Sequence, residues 1–161
     1  MRTETINIYA FDELSETAKQ KAIIDNHYIN TDYDWWDYIY DEFRAYGFEI
    51  EGFDVDRANS VGGGFMVNGE DFANNVLNPK HDYYRGEGAG LNGLATQYLK
   101  AIQGIEDEEE LENIEVNFEN EIKDLILDEL RTEYEYITKE EQIISAIEGY
   151  DYEFTVDGER F

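Results

Sequence analysis

Residues 107–136 read DEEELENIEVNFENEIKDLILDELRTEYEY, and this stretch restricts the fold more than any other. Leu111, Ile114, Phe118, Ile122 and Leu125 recur at steps of three and four, the spacing of a helical apolar seam. A helix of this length runs for about 45 Å, so the remaining elements must be arranged along it. After Leu125 the apolar set shifts to Ile126, Leu130, Tyr134 and Ile137. The helix is therefore expected to bend, or to change its packing partner, at that point. Glu108, Glu112, Glu115 and Glu119 line one flank of the seam, and Glu110, Glu121, Asp124 and Asp128 line the other. Only Lys123 and Arg131 bring positive charge. Unpartnered like charges four residues apart cost a helix about a few tenths of a kcal/mol per pair. Stability alone does not account for such a helix.

A second segment repeats the design. On a wheel of about 100° per residue, Trp35, Trp36, Ile39, Tyr40, Phe43 and Tyr46 of DYDWWDYIYDEFRAY fall within one broad arc. Asp34, Asp37 and Asp41 form a narrow stripe nearly opposite, with Tyr38 beside it. The aromatic arc is core, and the acidic stripe remains for solvent or a partner.

The excess of acid extends to the whole chain. Thirty-nine Asp and Glu face twelve Lys and Arg, a formal charge of −27. Such a surface repels polyanions, which argues against binding to nucleic acid or to anionic membranes. Basic protein surfaces and cations are the partners that fit. A hydrophobic share of 42 % nevertheless supports a folded core rather than an acidic tail. There is no cysteine, hence no disulfide framework and no thiolate chemistry. The opening MRTETINIYAF alternates polar and apolar residues, unlike a signal peptide. No segment approaches the length of a membrane span. A soluble protein of the host cytoplasm is expected.

The remaining elements can be placed from their punctuation. Thr3–Phe11 alternates as a strand. Ser15 is a good N-cap for a helix with Ala18, Ala22 and Ile23 on its apolar face. The aromatic helix begins near Asp32 or Asp34 and leaves at Gly47. FEIEGFDVDR and SVGGGFMVNG form a hairpin, residues 74–90 are irregular, and a helix spans Leu91 to about Gln103. Thr138 and Glu141 make a capping box for a last helix that stops at Gly149. The segment YDYEFTVDGERF closes the chain as a strand with an Asp157-Gly158 turn. This order predicts an α+β fold: one small antiparallel sheet with several packed helices, a single domain over residues 1–161 and a monomer. Trp35 or Trp36, Phe43, Phe118 and Leu125 are its expected core.

Catalytic motifs are scarce. His27 and His81 are the only histidines. His81 has Asp82, Tyr83 and Arg85 near it but no serine or cysteine nucleophile, so a small hydrolase built there is the weaker alternative. DVDRAN opens like a calcium loop at Asp54 and Asp56, yet Ala58 stands at the third ligand position. The glycines of SVGGGF lack the spacing of a phosphate loop. No catalytic residue, cofactor or metal site is expected.

With FDELSETAKQKAI, the tryptophan pair in DYDWWDYIYDEF and the terminal ISAIEGYDYEFTVDGERF, the chain resembles a group of small acidic proteins encoded by bacteriophages. The likeness covers both ends and the first helices. It carries no catalytic residues over. It implies a phage setting, in which small acidic proteins block host defence nucleases by imitating DNA, as anti-restriction and anti-CRISPR inhibitors do. The expected function is stoichiometric, non-catalytic inhibition of a basic nucleic-acid-binding host protein. Asp34, Asp37, Tyr38, Asp41, Glu108, Glu112, Glu115 and Glu119 are the candidate contact residues. An acidic adaptor for a basic partner unrelated to DNA, or an acidic surface merely solvated in high salt, shares the charge evidence.

Overall fold

A computed structural model describes residues 1–79 and 90–161. They group into two compact units, Met1–Trp35 with Glu133–Phe161, and Trp36–Thr132. The fold is α+β, with six α-helices and four short strands among the described residues. The antiparallel pairing expected of one sheet is divided between two two-stranded ribbons, one in each unit. Among the described residues no helix is long and apolar enough to cross a membrane.

In the first unit, β1 (Tyr9–Ala10) pairs with β4 (Glu153–Phe154). The strand expected over Thr3–Phe11 shrinks to these two residues, because β4 is equally short and Phe11 turns into a 3-10 helix (Phe11–Glu13). Helix α1 (Glu16–Asp25) starts as its sequence requires, with the Ser15 hydroxyl accepting from the Ala18 N–H at 3.2 Å. Its buried face, Ala18, Ala22 and Ile23, meets Ile143 and Ile147 of α6 (Glu140–Gly149) and Phe154 of β4. Phe11 sets its ring edge-on to that of Phe154, 6.3 Å away. The capping box expected at Thr138 does not form. Lys139 is the N-cap of α6, and the Thr138 hydroxyl donates back to the Tyr134 carbonyl at 2.7 Å. With so short a link between two helices, Thr138 closes the first instead of opening the second. The final turn is as expected: Gly158 N–H bonds the Thr155 carbonyl, and Phe154 bridges to Arg160.

The second unit has an aromatic interior. Helix α2 (Asp37–Tyr46) ends at Gly47, whose left-handed backbone (φ 102) lets its N–H bond the Phe43 and Arg44 carbonyls. Strand β2 (Phe48–Gly52) then pairs with β3 (Gly62–Phe65), with an irregularity between Ile50 and Gly52. Phe48 and Ile50 point inward, while Glu49 and Glu51 point to solvent. A helix absent from the sequence reading follows, α3 (Gly69–Leu77), capped by the Asn68 side chain on the Asp71 N–H at 2.8 Å. Helix α4 (Gly90–Ala101) packs beside it. Edge-to-face and tilted ring contacts link Phe43, Phe48, Phe65, Phe72 and Phe118 into one cluster.

Helix α5 (Glu108–Ile137) is uninterrupted, and it does change packing partner. Phe118 lies against Phe65, Phe72 and Tyr98 in the second unit, whereas Tyr134 lies against Trp35 in the first. Of the expected core residues, Trp35, Phe43 and Phe118 are buried and Trp36 is half-buried. Leu125 is only half-buried; Ile122, Ile126 and Leu127 fill the core there.

Candidate acidic interaction surface

The second unit exposes acid on two helices. On α2, Asp37 and Asp41 stand one turn apart, both exposed, with exposed Tyr38 between them in sequence. Arg44 donates to Asp41 at 3.2 Å across the next turn. Burial, and then the charge of Asp37, raise the Tyr40 phenol above its ordinary range. Asp34 precedes the helix that carries this stripe. The Trp35 N–H bonds the Tyr33 carbonyl, a contact of turn rather than helix, and α2 begins only at Asp37. Asp34 is exposed but belongs to the first unit.

The row Glu108-Glu112-Glu115-Glu119 also divides. Glu108 and Glu112 are exposed, while Glu115 and Glu119 are half-buried and engaged within the protein. The Glu115 carboxylate accepts from the Gly69 N–H at 3.2 Å and lies 3.5 Å from the Tyr98 hydroxyl. Glu119 pairs with Lys123 at 3.3 Å, and its carboxylate rests against β3 beside Gly64. The cause is the approach of α3 and β3 to this flank, through Gly69 and Gly64.

The opposite flank is the open one. Glu110, Glu121, Asp124 and Asp128 are all exposed, and none forms an ion pair among the described residues. The basic side chains of α5 are directed elsewhere, Lys123 to Glu119 and Arg131 Nε to the Val55 carbonyl at 2.8 Å. From Glu110 to Asp128 the flank is about 27 Å long, the axial length of about eight base pairs of duplex. Beside Asp124 lies a polar hollow of about 370 Å³, lined by Asn59, Val61, Asn120, Lys123 and Leu127.

Comparison with protein-family models, curated proteins and solved structures finds no match.

Among the described residues no group of three or more His, Asp or Glu side chains is placed to hold a metal ion. In the loop that begins like a calcium site, the Asp54 carboxylate is folded back onto the Asp56 N–H at 2.9 Å. His27 is exposed, with Nδ1 2.7 Å from the Ile24 carbonyl and its ring against Tyr28. His81, Asp82, Tyr83 and Arg85 lie outside the described residues.

Proposed function

We propose that the chain binds a basic, nucleic-acid-binding host protein and occupies its nucleic-acid cleft, as a DNA mimic that acts without turnover. The observation that carries this reading is the exposed α5 flank Glu110, Glu121, Asp124 and Asp128, whose carboxylates meet no cation among the described residues. Glu121, Asp124 and Asp128 rise by about 4.5 and 6 Å along the axis, one to two steps of the roughly 3.4 Å at which phosphates advance on one strand. Asp37, Tyr38 and Asp41 add a second exposed patch in the same unit. Charge at these positions costs helix stability and is returned when a basic cleft supplies the missing partners. A restriction or CRISPR nuclease is the target class suggested by the resemblance to phage proteins.

Capture from a bacterial lysate tests the reading. The protein should retain a DNA-binding protein, and Glu121→Gln/Asp124→Asn/Asp128→Asn should retain less of it while keeping its fold. Capture of a partner that binds no nucleic acid would instead make the chain an adaptor.

A further inference from the structure

The first unit carries a groove of about 600 Å³ that the proposed function does not use. It runs along β1 and the C-terminal end of α6. Its floor is apolar, from Ile8, Phe11, Ile147 and Tyr152, and its rim carries Asp12, Glu13, Glu148, Asp151 and Glu153. No basic side chain among the described residues lines it. Among the described residues strand β1 pairs with β4 alone, so its other edge carries no strand. Glu13 takes the Ala10 N–H on that strand at 2.8 Å, but residues 1–7 make no backbone hydrogen bond among the described residues. Ile6 and Ile8, in a segment that alternates like a strand, are 58 % and 41 % exposed. Ile8 lines the groove and residues 4–7 lead away from it, so their unpaired backbone groups at the end of an apolar groove are a template for strand addition.

We propose that this groove receives an extended, basic peptide segment of a partner protein, which pairs with the backbone of residues 4–8. Charge selects that occupant. Lysine or arginine side chains on one face of the added strand would meet the rim carboxylates, and apolar side chains on the other would cover Ile8 and Tyr152. Arg160 covers one face of the Tyr152 ring, 3.5 Å from its centroid, so its charge leaves this floor residue already partnered and the rim carboxylates are the groups left for incoming cations. Asp151 holds a left-handed backbone (φ 53), which asparagine or glycine would tolerate equally, and only aspartate adds charge there. A second copy of this chain would bring the same acidic rim against itself and is disfavoured by repulsion. The inference is independent of the α5 surface, because every residue in it belongs to the first unit.

The test uses the full chain and a fluorescent peptide of alternating lysine and valine, with binding followed by anisotropy. Glu148→Gln/Asp151→Asn/Glu153→Gln should weaken binding by about tenfold or more, whereas the α5 variant Glu121→Gln/Asp124→Asn/Asp128→Asn should change it by less than about twofold. Ile6→Pro removes an N–H that bonds nothing in the free protein and should also weaken binding by about tenfold, by blocking the ladder. In the unsubstituted protein, hydrogen exchange at residues 4–8 should slow when the peptide is added. Equal loss from the rim and α5 variants would reduce the effect to diffuse charge and overturn the proposal. So would unchanged binding of a peptide N-methylated on alternate residues, or unchanged exchange at residues 4–8. Self-association abolished by Ile6→Pro would assign the edge to a second copy and equally overturn it.

Discussion

The Glu115 carboxylate accepts a hydrogen bond from the Gly69 N–H, 3.2 Å away. Gly69 is the first residue of α3, where backbone donors lack helical partners and negative charge is favoured. Asn68 satisfies the Asp71 N–H, and Glu115, from another helix, satisfies that of Gly69. Part of the acid on α5 therefore holds the second unit together, and part faces solvent.

The two kinds of carboxylate should separate in unfolding experiments. Glu115→Ala leaves a part-buried N–H without its acceptor and should cost about 1–2 kcal/mol. Glu115→Gln keeps an acceptor oxygen and should cost less. Glu112→Gln, on the exposed surface, should stay within about 0.5 kcal/mol. Urea midpoints at constant m-value read all three.

Gly69 has a second constraint. A Cβ there would stand 2.6 Å from the Tyr98 hydroxyl oxygen and 2.8 Å from the ring carbon that bears it. Gly69→Ala should destabilise by about 1–3 kcal/mol through overpacking. Tyr98→Phe removes the nearer atom but not the ring carbon. In the double variant the penalty of the alanine should shrink without vanishing, as a double-mutant cycle would report.

Tyr98 stacks on Phe118 with centroids 4.3 Å apart, and its burial, followed by the charge of Glu115, pushes its phenol up to about 12. An unfolded tyrosine ionises near about 10. The neutral form is the one the fold accommodates, so its stabilising contribution is complete below about pH 10 and is lost as pH rises through about 12. The fall in stability across that window should be steeper for the native protein than for Tyr98→Phe.

Salt should act in opposite directions on folding and on binding. Self-repulsion at a formal charge of −27 opposes the compact state, and screening relieves it. Melting temperature should rise from low to moderate salt. Over the same range a partner held by opposite charge should dissociate faster and associate more slowly. A melting temperature that does not respond to salt would contradict the first half of this expectation.

Periodicity made the long helix, the aromatic core and the α+β class legible from residues alone, because seams such as Phe118–Ile122 and Ile39–Phe43 state which face is inside. Burial of an acidic flank is a different matter. Glu115 and Glu119 read as exposed beside the seam, and only the approach of α3 and β3 turns them inward. Helix α3 is masked in the sequence because Gly69 opens it directly after a glycine-rich strand; Asn68, the acids Glu70 and Asp71, and the pair Phe72 and Val76 are the signals that mark it. A helical wheel that includes Asp34 runs past the start of α2, which the turn at Tyr33–Trp35 sets.

DNA mimicry is tested most directly by titrating duplex DNA into the complex of this protein with its captured partner, at fixed salt. Mimicry predicts mutual exclusion: bound protein should fall as DNA occupies the partner, and Glu121→Gln/Asp124→Asn/Asp128→Asn should be displaced by less DNA. A partner that holds duplex and protein together, each at unchanged affinity, would contradict it.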